Sequence, residues 1–253
     1  LHFEKYPGNP VIPHSPLDPS NKDFRDPKIF PYEGGYRMVC GAGVGGLASV
    51  LLYQSENLLD WTYIGPVFQS RDYGPVPECP DLFPLGGKWV LMFSRMDEGH
   101  TVQFIVGDFD GTRFTPESFQ QPEHGPDFYA PQTFVDGKGR RIMIAWMHSW
   151  DREPTPGAVR AGALTIPREL RLVNGKITTY PVEEAQGLLR DGSTYLRREG
   201  EDAAVWQGGQ CLLAFPLAQL REVEYLLDGH SCEVFLNHGE ASCTFCQVEG
   251  QGG

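Results

Sequence analysis

The chain has 253 residues, 33 of them acidic and 21 basic, and its formal net charge of −12 argues against nucleic acid or an anionic membrane as a partner, since both need clustered Lys and Arg. With 30 Gly, 21 Pro and 12% aromatic residues it reads as an all-β, turn-rich protein of one large or two small domains. No apolar run approaches the ~20 residues that a membrane-spanning helix needs, and Leu1-His2-Phe3-Glu4-Lys5 has no signal-peptide layout.

Residues 1–12 read as one stray outer strand, because Phe3-Glu4-Lys5-Tyr6 followed by Asn9-Pro10-Val11-Ile12 parallels Trp61-Thr62-Tyr63-Ile64 followed by Gly65-Pro66-Val67-Phe68. Next comes Arg25-Asp26-Pro27-Lys28-Ile29-Phe30, which recurs as Glu78-Cys79-Pro80-Asp81-Leu82-Phe83 and as Tyr129-Ala130-Pro131-Gln132-Thr133-Phe134. The prolines at 27, 80 and 131 are 53 and 51 residues apart, and a glycine turn and a second apolar run follow each. A period of ~40–50 residues built from short strands is the mark of a β-propeller blade. Three blades are expected, at about 24–68, 78–115 and 129–180, with Leu47–Ser55, Thr101–Phe109 and Ala163–Leu172 as third strands. Equivalent residues of successive blades then face one axis: Arg25, Glu78 and Tyr129 at one position, Asp26, Cys79 and Ala130 at the next.

Within the first blade, Gly41-Ala42-Gly43-Val44-Gly45-Gly46 satisfies GxGxxG, but the apolar run Leu47–Tyr53 that follows is a strand and not the helix a dinucleotide site requires. A loop between strands is the expectation. After Pro181 a short linker helix is expected over 182–190, then a small β unit over 191–253 with strands at Val205–Phe215, Glu222–Leu227, Cys232–Leu236 and Ser242–Val248, and a tail at Glu249–Gly253. The six cysteines, one of them inside the repeat, fit a reduced, cytoplasmic setting. Cys243-Thr244-Phe245-Cys246 has zinc-ligand spacing with Cys211 and Cys232 to complete a set, yet it also reads as a plain strand across the Asn237-His238-Gly239 turn.

Asp26 and Glu78 on one axis are the raw material of glycoside cleavage, one carboxyl protonating the leaving oxygen and another carboxylate supporting the sugar cation. The Pro-rich surroundings of Glu78 suit it as the acid, Arg25 is placed to keep Asp26 ionised, and Tyr129, Trp146 and Trp150 offer ring faces for a sugar. The plainer alternative makes Asp26 and Asp81 turn caps and Glu78 a solvated loop residue.

Phe24-Arg25-Asp26-Pro27-Lys28, Pro77-Glu78-Cys79-Pro80-Asp81-Leu82-Phe83, Asp127-Phe128-Tyr129-Ala130-Pro131-Gln132-Thr133-Phe134 and Ile144-Ala145-Trp146-Met147 closely resemble, in order, the signature segments of glycoside hydrolase family 32. Leu164-Thr165-Ile166-Pro167-Arg168-Glu169-Leu170 and the stretch from Cys232 to Ala241 resemble its later segments. The resemblance implies an incomplete five-bladed propeller over 1–181 followed by a shortened β-sandwich-like unit. It implies retaining hydrolysis of β-fructofuranosides such as sucrose or fructans, with no metal and no cofactor. By matching motif, Asp26 would be the transition-state stabiliser and Glu78 the general acid/base. Arg25 and Cys79 would tune and position them, and Tyr129 and Trp146 would line the sugar pocket.

Members of that family carry their nucleophilic aspartate in a Trp-Met-Asn-Asp-Pro-Asn-Gly segment, and this sequence contains none; Asp18-Pro19-Ser20-Asn21 is only a faint echo. The expectation is a chain inactive alone, active with a complementing fragment, and prone to pair with a second copy or that fragment through open blade edges. The alternative is a non-catalytic fructan- or sucrose-binding or assembly module.

Overall fold

All three proline-centred repeats open a strand. The computed structural model describes residues 2–97, 99–147 and 162–246. The first sheet is an antiparallel meander of β1 (Phe24–Tyr32), β2 (Gly35–Val44), β3 (Leu47–Ser55) and β4 (Thr62–Ser70), with strands in sequence order. The second repeats it with β5 (Glu78–Leu85), β6 (Lys88–Ser94), β7 (Val102–Phe109) and β8 (Phe114–Gln120). The third joins β9 (Tyr129–Val135), β10 (Arg141–Met147), β11 (Ala163–Leu164), β12 (Arg168–Val173) and β13 (Lys176–Pro181). There β9 and β10 pair, and β10 passes the ladder to β11 and β12.

Contacts divide the chain into two compact units. Unit one is Leu1–Pro84, Lys88–Asp97 and Ile105–Ser118; unit two is Leu85–Gly87, Glu98–Phe104 and Phe119–Gly253. In unit one the alternation of β2 and β3 sends Val39, Val50 and Leu52 to one face, where they meet Leu82, Leu91 and Phe93 of the second sheet, all fully buried. Burying each such side chain contributes about 1.5–3 kcal/mol, and the rings of Phe30, Tyr32, Trp89 and Phe109 close the layer edge to face. The other face of β2 and β3 buries Met38, Cys40, Leu51 and Tyr53, with Ile12 packed against them.

In unit two the single-turn helix α1 (Glu183–Gln186) leads to β14 (Arg190–Asp191), β15 (Leu196–Glu199), β16 (Asp202–Gln207), β17 (Gln210–Pro216), β18 (Val223–Asp228), β19 (Ser231–Leu236) and β20 (Ala241–Cys246). These form a β14-β18-β19-β20 sheet and a β15-β16-β17 sheet. Val205 and Leu213 of one meet Val234, Leu236, Cys243 and Phe245 of the other in a shared core, the arrangement of a small sandwich.

Four expectations need correction. Residues 2–23 hold no strand, because the parallel with residues 61–68 supplies no neighbouring strand to bond with; Asp18 there caps a turn, accepting from the Ser20 N–H at 2.9 Å. Val205–Phe215 is two strands, split by Gly208-Gly209 at φ 57 and 84, the left-handed pair a tight hairpin demands. Ala163–Leu172 is likewise interrupted before Pro167, which has no N–H to give a ladder. The second blade gains β8, running to Gln120.

Helix α1 is fastened to the β9–β10 hairpin by its acid. Glu184 accepts from Lys138 at 2.6 Å and from Arg140 at 3.0 and 3.1 Å. These bonds, those from Arg140 first, hold its carboxyl at about 2 against an ordinary 4.5. A depressed acid stabilises fully above its unfolded value and loses that contribution as pH falls from 4.5 toward 2. The group is exposed, so the effect is small. Glu184→Gln is expected to show a shallower fall in Tm between about pH 5 and about pH 3 than the wild type; equal slopes in the two proteins would remove this anchor.

Candidate functional site

The repeat imposes one backbone oddity three times. Asp26, Cys79 and Ala130 sit at φ 60, 49 and 49, the left-handed region that residues other than glycine avoid at about 1–2 kcal/mol each. In the first blade the β1–β2 register slips between Arg25 and Lys28, so Asp26 and Pro27 form a bulge. Bulges bend a strand and re-aim its side chains, and here the bulge lies at the residue expected to carry chemistry.

In unit one the kinks bring Arg25 and Asp26 from β1 against Glu78 and Cys79 from β5. The Cys79 N–H donates to Asp26 Oδ2 at 3.0 Å, and the Cys79 thiol reaches the same oxygen at 3.7 Å. Burial, reinforced by the charges of Asp26 and Glu78, pushes that thiol up to about 12, so it stays protonated and can donate. Arg25 Nη1 donates to Glu78 Oε1 at 3.0 Å and touches the Met96 sulfur at 3.7 Å, while Nη2 pairs with Asp23. The Cys40 thiol donates to the Arg25 carbonyl at 3.0 Å and is itself held protonated by burial, at about 12. Beneath them Lys28 lies 3.4 Å from the buried Asp81.

Arg25, expected beside Asp26 and, by resemblance, as a positioner of both carboxyls, bonds to Glu78 and Asp23. The weakly polar setting expected for Glu78 is replaced by a guanidinium. Neither residue fits the plainer alternative, since Asp81 pairs with Lys28 across two blades and Glu78 opens a strand with its side chain only 18% exposed. Sequence reasoning missed Asp23, Cys40 and Met96. Asp23 lies just ahead of β1, where strand periodicity does not fix its direction.

Tyr129 and Trp146 belong to unit two, where they face each other across the β9–β10 ladder. Tyr129 is 3% exposed, with the His100 ring set edge to face against it at 5.7 Å between centroids, so its ring is not the open face that was expected. Trp146 is half-buried. Trp150 and the tail at 249–253 lie outside the described residues. The GxGxxG stretch is the end of β2 and the two-glycine turn that leads into β3. Cys243 and Cys246 are three apart on β20 and so point to opposite faces, which breaks the zinc set. Among the described residues the donors that do approach one another are Glu222, Glu224 and His238, and His238 Nε2 is already bonded to Glu222 at 2.9 Å.

One feature of unit two had no sequence forecast. Arg168, fully buried, spends all five N–H donors: Nε and Nη2 on Glu233 at 3.1 and 2.6 Å, Nη1 on Glu123 at 2.7 Å and Ser242 at 3.2 Å, and Nη2 again on Thr244 at 2.6 Å. Its guanidinium also lies over Phe128 and Phe235. Burial opposes charge on Glu123, but Arg168 outweighs it, aided by the Gly125 N–H and Thr244, and holds the carboxyl below its usual range; burial pushes Glu233, with fewer donors, up.

Comparison with known proteins agrees with this layout. The family model described as the glycosyl hydrolases family 32 N-terminal domain matches residues 1–181. A levanase from Bacillus subtilis (strain 168) is 39% identical over 208 residues, covering 73% of this chain and 30% of the levanase. A sucrose-6-phosphate hydrolase from Escherichia coli is 37% identical, covering 74% of this chain and 41% of that protein. A Bombyx mori GH32 β-fructofuranosidase superposes with a TM-score of 0.84 at 25% identity, covering 98% of this chain and 65% of that one. The chain therefore spans less than half the length of these curated relatives, and its blade-like sheets match part of the family's propeller.

Proposed function

This chain belongs to glycoside hydrolase family 32, and from that premise we propose that it supplies the acid/base half of a β-fructofuranosidase centre, acting on sucrose or fructans. The observation that carries the reading is the four-residue cluster of unit one: Glu78 held by Arg25, Asp26 held by the Cys79 N–H, each at 3.0 Å. Glu78 is the group that protonates the leaving oxygen. Asp26, with one oxygen fixed by Cys79, accepts from fructose hydroxyls and balances the positive charge that grows at the anomeric carbon. Arg25, pinned by Asp23, keeps the Glu78 carboxyl pointed inward.

The retaining sequence needs a second carboxylate as nucleophile, and the sequence has no segment of the family's nucleophile type. The isolated chain is therefore a fructose-binding half-site without turnover. Blade flanks support a complementing fragment as the partner. Leu82 and Phe83 of the second blade are buried, whereas their equivalents Ile29 in the first and Phe134 in the third stay 45% and 49% exposed.

Calorimetry tests the reading. Fructose is expected to give binding heat with the wild type, and Asp26→Asn to weaken it at least about tenfold, ~1.4 kcal/mol. Silence at millimolar fructose removes the sugar site, and sucrose turnover by the isolated chain that disappears in Glu78→Gln overturns the claim of inactivity.

A further inference from the structure

The glycine-rich stretch that failed as a dinucleotide loop has another use. Gly41 and Gly43 lie two apart on β2 and point the same way as Val39, toward the second blade. Against them runs Pro75-Val76-Pro77, the strip that delivers Glu78. A Cβ on Gly41 would stand 2.1 Å from the Pro77 carbonyl oxygen, and one on Gly43 would stand 2.0 Å from that of Pro75. Both obstacles are backbone, so no side-chain rotation relieves them. Neither glycine has a left-handed φ, so the backbone here would accept alanine; only the space forbids it.

We propose that Gly41 and Gly43 are positioning residues for Glu78 and Cys79, a bare strip of β2 whose missing methyl groups set how closely the second blade's catalytic strand approaches the first. The proposal rests on the assignment of Glu78 and Asp26 made above. Gly41 is the cross-strand partner of Arg25, and Pro77 is bonded directly to Glu78, so the contact lies one residue from both members of the Arg25–Glu78 pair. Ordinary contact begins at 3.4 Å, so a methyl on Gly41 must drive the Pro77 carbonyl back by about 1 Å. Neither the Arg25–Glu78 bond nor the Cys79–Asp26 bond, each 3.0 Å, survives that displacement with its present geometry. Misplacement of this size costs on the order of 100-fold where positioning carries the chemistry.

The test compares Gly41→Ala and Gly43→Ala with Gly45→Ala, a turn position at φ +58 around which a Cβ meets nothing. The Raman S–H stretch of Cys79, assigned by its loss in Cys79→Ser, reports whether the thiol still has Asp26 as acceptor. Fructose calorimetry reports the site. Gly41→Ala is expected to move the Cys79 band toward that of an unbonded thiol and to weaken fructose by about 10- to 100-fold, while Gly45→Ala, despite its strained backbone, leaves both unchanged. If Gly41→Ala does not fold by circular dichroism, Gly43→Ala carries the same comparison with a smaller expected shift. An unmoved Cys79 band in a folded Gly41→Ala or Gly43→Ala protein overturns the proposal, whatever the sugar does. A band that moves in a protein whose wild type ignores fructose upholds the positioning and overturns the sugar assignment instead.

Discussion

Arg168→Met is expected to lower the unfolding free energy by about 3–5 kcal/mol, the range for removing one partner of a buried ion cluster. The methionine fills much of the volume, so the loss is electrostatic. Glu123 and Glu233 remain, 4% and 2% exposed, without the cation that offset their desolvation. Glu123 keeps donors from Gly125 N–H, Thr244 and Ser242, whereas Glu233 keeps the Ile166 N–H. Glu233 is thus the group that takes up a proton in the variant. The pH dependence follows: the deficit is expected to be largest near neutrality and to shrink as pH falls, since a protonated carboxyl no longer needs a cation. Urea denaturation at several pH values measures it, and a deficit below about 1 kcal/mol that ignores pH would reduce the cluster to a surface-like ion pair.

A second polypeptide carrying the Trp-Met-Asn-Asp-Pro-Asn-Gly segment, mixed with this chain, is expected to switch on sucrose hydrolysis that neither part shows alone. In that assembly Glu78→Gln should lower kcat by about 10²- to 10⁴-fold, the worth of a positioned general acid. A glutamine there still accepts from Arg25, so the loss isolates proton transfer from geometry. Retention of more than a tenth of the activity would move the acid role elsewhere. A solution mass showing the chain paired with itself instead of with the fragment would assign the exposed Ile29 and Phe134 faces to a second copy.

The blades were legible because their cause is local and periodic. Proline, a polar residue, and phenylalanine three places after the proline, then a glycine turn and a second apolar run, read as a hairpin, and the pattern occurs three times. Repetition places Arg25 and Glu78 at one position and Asp26 and Cys79 at the next, and these four lie in contact. What pattern could not show was who bonds to whom. Arg25 is adjacent to Asp26 in sequence, yet the left-handed residue between the strand's two halves turns their side chains apart, and Arg25 reaches Glu78, 53 residues away. The Arg168 cluster was invisible for a related reason. Glu123, Arg168 and Glu233 lie in three separate segments, and buried charges look like surface charges until a core closes on them. Gly125 and Gly239 are closely confined in the fold: a Cβ on the first would stand 2.0 Å from the Thr244 carbonyl oxygen, and one on the second 2.2 Å from that of Thr179.

The left-handed kink shared by Asp26, Cys79 and Ala130 makes each blade an identical mount on which the tool can be exchanged. Its shape is held by the proline behind it and the hairpin around it, and the residue mounted there is in turn a carboxylate, a thiol and a plain methyl. Such a scaffold can change its chemistry one side chain at a time while the backbone beneath stays still. Ala130 is then the mount that carries only a methyl group, the position at which a designer would first try a new functional group.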